Sequence, residues 1–502
     1  MNSALLNKKL NEARELLTNV QFSHALLAYE KLARQFPRHA QIWLEYGAAA
    51  GRAGQLALAE RVWNKVAELE PRNSELMVQI GHQYANLRQP EKARAWFEKA
   101  AAADPRGINP RMAAAILLEQ NHRFAEAREA IASCLAINPR DDQARYFTAV
   151  LDRRDNKIED AERGLRDLIA SRPQHQYVQY ASRYELAEVL NRTNRFDEAM
   201  QMLLEAKDLV RRLANIEAML QAYDHAAGQD RRSSRELPKD ILRTWSREFP
   251  ERVREALPNL AFLGGHPRSG TTLLEQILGA HPDVAAMDEP SAFTMVVCQL
   301  FSASPLVSAA RLNVIRRRYL EAARKEWGGN LDGKLLLDKN PSPTARLPIW
   351  LRVFPELRVL IALRDPRDVV ISCYFQNLRL NPYNANFLSL ERTARHYANL
   401  MDVWLAVRQW EGLAWMETRY EDIVADLEKE GRRVTEFLGL AWDPAQGRFH
   451  EKSNQKQMYS PTYHDATQPV HARSVARWRA YQKHLGPILP ILEPYCRALG
   501  YA

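Results

Sequence analysis

Along the first 225 residues, apolar side chains recur at three- and four-residue spacing, as in AEVLNRTNRFDEAMQMLLEA. That spacing predicts amphipathic helices. The helices come in a fixed cycle. Pro37, Pro71, Pro105, Pro139 and Pro173 stand 34 residues apart, and each closes a phrase of one kind: ARQFP, AELEP, AAADP, LAINP and IASRP. Ala25, Ala59, Ala93, Ala127 and Ala161 keep the same step, and Ala199 follows after 38 residues. Gly47, Gly81, Ala115 and Ala149 keep it as well. Proline cannot continue a helix and restrains the residue before it, so each one ends a helix pair. Small residues at fixed places let two helices approach closely. No single unit can bury its own apolar face, so the units must stack. Five repeats and a partial one are expected over about residues 5–210.

The next stretch, 211–257, reads as a helical linker. HAAGQDRRSSRELPKD is polar and turn-rich, and ILRTWSREFPERVREAL reads as one helix, or as a pair interrupted at Pro250. From Asn259 the pattern changes. Short apolar runs, LAFLGG (260–265), KLLLD (334–338), LRVLIALRD (357–365) and LAWMETRY (413–420), alternate with amphipathic stretches. Runs of that length flanked by charge or turns predict buried strands. The expected architecture is multidomain. An all-α repeat solenoid at 1–210 precedes the linker, and an α/β domain with a mostly parallel sheet occupies 258–502.

Composition narrows the function class only a little. The 502 residues carry 70 Lys and Arg against 61 Asp and Glu, a formal charge of +9. The excess suits an anionic ligand, but it is too dilute to argue for nucleic acid. Hydrophobic residues at 46% and charged residues at 26% are globular values that exclude a wholly disordered chain. Cys134, Cys298, Cys373 and Cys496 form no CxxC pair, and the histidines form no HExxH pattern, so no metal is expected. No 18-residue apolar run and no apolar leader core occur, so a cytoplasmic protein without a membrane span is expected.

The strongest chemical signal is NLAFLGGHPRSGTTLLEQILGAHPDV. A buried strand runs into a glycine-rich turn and then into a helix starting near Gly270. Backbone N–H groups at a helix N-terminus make an anion site. Gly265 and Gly270 let the loop wrap closely. Ser269, Thr271 and Thr272 add hydroxyls, and Arg268 adds a cationic fork. The phosphate-loop template GxxxxGK[ST] wants lysine where Thr271 stands, which disfavours a kinase or ATPase.

The 34-residue period resembles the tetratricopeptide repeat. The phrase PRSGTT resembles the 5′-phosphosulfate loop of sulfotransferases that use 3′-phosphoadenosine 5′-phosphosulfate (PAPS). It is most similar to the tyrosylprotein type and to bacterial proteins that join tetratricopeptide repeats to a sulfotransferase domain. In LRVLIALRDPRDVVISCYFQ, Arg364 follows a strand and Ser372 stands eight residues on. The resemblance implies that both contact the 3′-phosphate. It also implies that Glu289 is the base, with Asp288 as the competing carboxylate. Lys339 in LLLDKNPSP would assist the leaving group, with Arg268 sharing that role. Tyr420, Thr462 and Arg477 match positions near the nucleotide, although the family carries serine where Thr462 stands. The implied activity is PAPS-dependent sulfuryl transfer to a protein tyrosine, carbohydrate or small-molecule hydroxyl. The repeats would recruit the acceptor or a protein or peptide partner. Two other classes stay open. One is a repeat scaffold with a degenerate nucleotide domain; the other is an NTP-using phosphotransferase.

Overall fold

The computed structural model describes residues 3–18, 21–248, 259–290, 307–453 and 469–501. The chain divides into two compact units, Met1–Val189 and Leu190–Ala502.

The first unit is a stack of helix hairpins: α1 (Ser3–Thr18), α2 (Phe22–Gln35), α3 (Ala40–Arg52), α4 (Leu56–Leu69), α5 (Ser74–Asn86), α6 (Pro90–Ala103), α7 (Ile108–Gln120), α8 (Phe124–Ile137), α9 (Asp142–Arg154) and α10 (Ile158–Ala170). The division falls within α11 (Gln176–Arg192), and α12 (Phe196–Arg211) belongs to the second unit. Each periodic proline sits two or three residues past the second helix of a hairpin. Ala25, Ala59, Ala93, Ala127 and Ala161 are each 0% exposed. The need for small residues is steric. A Cβ on Gly47 would fall 2.2 Å from the Trp63 indole, and one on Gly81 would fall 2.3 Å from the Phe97 ring. Trp63 and Tyr84 meet edge to face at 4.7 Å in the same core. From α3 on, the first helix of each hairpin ends through a left-handed residue at the repeat period: Gly54, Arg88, His122 and Asn156, then Asn194 after 38. That conformation closes a helix C-terminus.

The second unit opens with α12 and continues through α13 (Ile216–Glu236) and α14 (Ile241–Arg247). HAAGQDRRSSRE therefore lies inside one 21-residue helix and not in the turns its polarity suggested. Few of its residues are buried, among them Ala227 and Ser234, so polarity here reflects exposure along a helix. Pro250 lies outside the described residues.

Five parallel strands follow: β1 (Leu260–Gly265), β2 (Val284–Asp288), β3 (Leu335–Lys339), β4 (Arg358–Leu363) and β5 (Trp415–Arg419), in the order β2-β3-β1-β4-β5. Between them run α15 (Thr271–Gly279), α16 (Ala309–Trp327), α17 (Leu347–Val353), α18 (Pro366–Tyr374) and α19 (Leu390–Val407). After β5 come α20 (Tyr420–Ala425), α21 (Leu427–Phe437) and, near the C-terminus, α22 (Leu489–Ala498). The sequence pattern predicts four of the strands and not β2. Its run, VAAMD, is short and alanine-rich, a poor strand former on propensity, yet all five residues are buried.

Both faces of the sheet are covered, as a parallel sheet requires. On one face Ala261, Leu263, Val284, Ala286, Leu335, Leu337 and Leu360 pack against Leu274, Ile277 and Leu278 of α15. On the other, Phe262 lies 5.3 Å from Trp350, which meets Tyr319 edge to face at 5.5 Å. Trp404 and Trp410 are core, but Trp415 is 37% exposed on edge strand β5, where the apolar reading expected core. Among the described residues no helix is long and apolar enough to cross a membrane.

The Gly81 contact yields a test. Gly81→Val should lower stability by roughly 1–3 kcal/mol, the cost of overpacking a tight core. The urea midpoint of the helical transition measures it. An unchanged midpoint would show that Phe97 yields and that the small residue is not a packing requirement.

Candidate active site

Parallel pairing carries the candidate residues to one edge of the sheet. Lys339 is in register with Leu263 and with Asp288, Gly265 with Ala362, and Leu363 with Arg419. The carboxyl ends of the strands thus open onto the 266–270 loop, the Asp288–Glu289 pair, Lys339, Arg364 and Tyr420. This is where open α/β sheets bind their ligands.

The loop is built by close backbone approach. Gly265 has φ 128, and a Cβ there would fall 2.3 Å from the Ala362 carbonyl oxygen. The Gly265 N–H donates to Thr344 Oγ1 at 2.9 Å, and that hydroxyl donates back to the Gly265 carbonyl at 3.1 Å. His266 is fully buried, with Nε2 2.8 Å from His396 Nδ1, and burial lowers its pKa to about 4, so it is neutral. Gly270, at φ 92, precedes the first residue of α15 and lies against Tyr420, where a Cβ would meet the ring at 2.8 Å. The first N–H groups of α15 have no acceptor within their own helix. Ser269, Thr271 and Thr272 are all buried beside them.

A stripe on α18 gathers the cations. Asp368, Ser372 and Phe375 follow at i, i+4 and i+7, one helical face continued just past the last turn. Asp368 lies 3.9 Å from Arg364 and accepts the Trp478 N–H at 2.7 Å. Ser372 Oγ accepts from Arg268 Nε at 3.0 Å. The Phe375 ring lies 4.2 Å from the Arg477 guanidinium. Arg364 is only 6% exposed. It donates to the Arg268 carbonyl at 3.2 Å and to the Ser474 carbonyl, and it stacks on Tyr420 at 5.0 Å. Its Nε is buried without a hydrogen-bond partner among the described residues. Burial raises the Asp368 carboxyl to about 6 although Arg364 opposes the shift. Arg268, Arg364, Ser372, Tyr420 and Arg477 therefore form one group. Asp365 pairs with Arg367 instead of Arg364. Thr462 lies outside the described residues.

A second group sits at the ends of β2 and β3. The Lys339 ammonium contacts Asp288 Oδ1 and lies 3.1 Å from Glu289 Oε1. Lys339 and Asp288 side chains are 0% and 5% exposed, whereas Glu289 is 49% exposed. The Glu289 N–H donates to the Lys339 carbonyl at 2.8 Å, and φ 48 turns that residue out of the strand direction. Burial disfavours the Lys339 charge, but Asp288 and Glu289 outweigh it and raise the lysine pKa. The neighbouring Asp338 faces the opposite side of β3 and accepts from Tyr319 Oη at 2.7 Å. Burial pushes its carboxyl up to about 7.

A strand-loop-helix turn without a phosphate-loop lysine, with arginines from the loop, the end of β4 and the C-terminal segment gathered beside it, is the arrangement that comparison with known proteins must explain. Residues 259–444 match the sulfotransferase family, and residues 10–67, 74–106 and 149–212 match tetratricopeptide repeats. The chain carries a sulfotransferase-family domain behind tetratricopeptide repeats. Protein-tyrosine sulfotransferase A of Caenorhabditis elegans is 26% identical over 212 residues, 36% of this chain and 50% of that protein. Nodulation protein NoeE of Sinorhizobium fredii (strain NBRC 101917 / NGR234) is 28% identical over 255 residues, 44% of this chain and 60% of that protein. The chain thus spans about half the length of these curated relatives. The solved sulfotransferase domain from the Synechococcus PCC 7002 olefin synthase is 19% identical, with 44% of this chain and 88% of that one covered and a TM-score of 0.33.

Three groups in the sulfotransferase domain escape a reading of the sequence. In the sequence Asp368 is simply one of two aspartates close after Arg364, yet it holds the Trp478 backbone. Its four-residue spacing to Ser372 was the available signal. Phe375 and Tyr481, which flank Arg477, carry no local signal, because their meeting is long-range.

Asp338 gives a pH test. Its folded pKa of about 7 lies above the unfolded value near 3.9. Between these values the folded chain holds a proton that the unfolded chain has released, so stability falls as pH rises through that window. Asp338→Asn removes this slope. Whatever its stability at pH 4, the variant should gain on the parent by on the order of 2–4 kcal/mol by pH 8. Parallel stability curves from urea unfolding would show that Asp338 ionises normally.

Proposed function

We propose that residues 258–502 form the catalytic domain of a PAPS-dependent sulfotransferase acting on an acceptor hydroxyl, and that the repeats recruit the acceptor or a protein partner. The observation that carries the reading is the anion cradle of residues 265–272 beside buried Arg364, whose Nε has no hydrogen-bond partner among the described residues. PAPS, when bound, supplies the activated sulfuryl group and a bisphosphate leaving group.

The residues suit such a ligand. The N-terminus of α15, with the hydroxyls of Ser269, Thr271 and Thr272, offers donors for the 5′-phosphosulfate. Arg364, Ser372 and Arg477 offer cations and a hydroxyl for the 3′-phosphate. Arg268 spans the two regions: its loop begins the 5′ cradle, while its Nε reaches Ser372. Tyr420 borders the nucleotide by packing on both Arg364 and Gly270.

The two carboxylates divide their work by exposure. Asp288 is buried on Lys339 and holds it. Glu289 is half exposed and can meet an acceptor, so it is the base. A carboxylate is a far weaker base than the alkoxide or phenoxide it would have to generate, so proton loss must accompany sulfuryl transfer. Glu289 takes the hydroxyl proton and becomes neutral. Lys339 then faces one carboxylate in place of two, and more of its charge is available for the leaving oxygen.

Calorimetric titration of adenosine 3′,5′-bisphosphate against AMP tests the donor site. The bisphosphate should bind more tightly, and Arg364→Ala should weaken it by roughly 2–5 kcal/mol, the range for losing one partner of a buried charge pair. Equal binding of the two nucleotides would refute the PAPS reading. Glu289→Gln should leave bisphosphate affinity intact while lowering kcat by about 10²–10⁴. An unchanged kcat would remove Glu289 as base.

A further inference from the structure

We infer that the last repeat hairpin positions Arg477, and through it sets how strongly the nucleotide site recognises a 3′-phosphate. This rests on the donor reading above and adds residues outside the matched catalytic region.

The segment carrying Arg477 has little regular structure of its own. It is a short 3-10 turn, Arg477–Tyr481, entered through Ala476 at φ 55. Its position comes from what grips it. On one side α18 holds the Trp478 N–H through Asp368, and Arg364 holds the Ser474 carbonyl. The guanidinium of Arg477 then lies 4.2 Å from the Phe375 ring and 5.9 Å from the Tyr481 ring.

The other side belongs to the repeats. Tyr481 is 0% exposed, and its hydroxyl donates to Asn191 Oδ1 at 2.7 Å. Its ring meets Phe196 of α12 edge to face at 5.4 Å and Phe375 at 5.5 Å. The aromatic seat of Arg477 is thus completed by the end of α11 and the start of α12. The same helix grips the far end of α18. Lys207, fully buried, lies 4.1 Å over the Tyr374 ring and donates to the Phe387 carbonyl at 2.8 Å, and Arg211 reaches the Leu388 carbonyl. Outside this core, Asp197 lies 3.0 Å from His484 and also pairs with Lys483, but that cluster is solvent-exposed and contributes little.

The repeat pattern marks the same place independently. The first helices α3, α5, α7 and α9 have 13 residues each, and α11 has 17. The four additional residues are about one helical turn. They account for the step from 34 to 38, and Asn191 lies in the last turn of the lengthened helix. The one repeat that breaks the period is the one whose end supports Tyr481.

Coupling of this kind is reciprocal: whatever shifts the hairpin changes nucleotide affinity, and nucleotide binding steadies the hairpin. The test uses the full-length chain with Phe196→Leu, which keeps the volume and removes the ring, and Tyr481→Phe, which keeps the ring and removes the bond to Asn191. Each is titrated with adenosine 3′,5′-bisphosphate and with AMP. We expect each variant to lose on the order of tenfold in bisphosphate affinity, with AMP affinity within about twofold of the parent. With saturating PAPS, kcat should stay level while KM for the donor rises. Equal loss for both nucleotides, which is what general loosening would produce, overturns the assignment, and so does no loss for either. A parent protein that does not prefer the bisphosphate refutes the donor reading itself, and with it this role for the hairpin; that result appears before any variant is made.

Discussion

The register of the parallel sheet is the constraint on which the second unit depends. A one-residue slip of a strand exchanges its two faces, and in the buried strands β1 to β4 the two faces pack against different partners, so a slip would break both packings. Register places Lys339 beside Asp288 and Gly265 beside Ala362. It therefore decides that a lysine meets two carboxylates and that the glycine loop begins where Thr344 can hold it. The site is made of strand ends, and a strand end has a fixed place only if the strand does. The apolar interior of the sheet, with no part in any chemistry, supplies that fixity.

A second layer of control lies on α18. Three side chains on one face of this nine-residue helix and its C-cap organise three arginines drawn from residues 268, 364 and 477. Gathering like charges is unfavourable, and two devices reduce the cost. Arg364 has Asp368 nearby, and the aromatic rings of Phe375 and Tyr420 accept guanidinium faces. The Asp368 carboxyl is itself raised by burial, so its charge is only partly available at mildly acidic pH. The cluster retains a positive surplus, which is what an anion site needs.

The two units differ in how far their sequences disclose them. The repeats are legible because each contact recurs: Ala93 is buried for the same reason as Ala59, and five copies at one step leave no doubt about a helix hairpin. The loop is legible because strand, glycines and helix are contiguous. β2 is not, because VAAMD owes its strand state to pairing with β3 and burial against α15 and not to propensity. The helical state of HAAGQDRRSSRE is hidden for the converse reason, since composition reports exposure and not backbone conformation. Phe196, Phe375 and Tyr481 are the least legible of all. Each is an ordinary aromatic in its own segment, and only tertiary contact makes the three a set.

Backbone strain separates structural from chemical positions in the same chain. Left-handed non-glycine residues occur past first-helix ends at Arg88, His122, Asn156 and Asn194, with Arg172 similarly placed after α10, and also at Arg268, Glu289 and Ala476. The first group caps helices at the repeat period, where hydrogen bonds closing the turn offset the strain; the Arg88 and His122 N–H groups, for example, bond to Ala85 and Glu119. The second group has no such period. Its members lie in the phosphate-type loop, at the end of β2 and before Arg477, one beside each cluster of candidate residues. Each such residue costs about 1–3 kcal/mol and persists only where its surroundings fix it. The surroundings are visible in each case: the Arg268 carbonyl is held by Arg364, the Glu289 N–H by the Lys339 carbonyl, and the turn after Ala476 by Asp368. Arg364, Lys339 and Asp368 thus serve twice, once through their charges and once by holding a backbone that would otherwise relax. Replacing Arg364 or Asp368 removes a charge and a side-chain hold on a strained turn together, so the effect on the site will exceed that of the lost charge alone; the Lys339 carbonyl survives any substitution of its side chain, so there only the charge is lost.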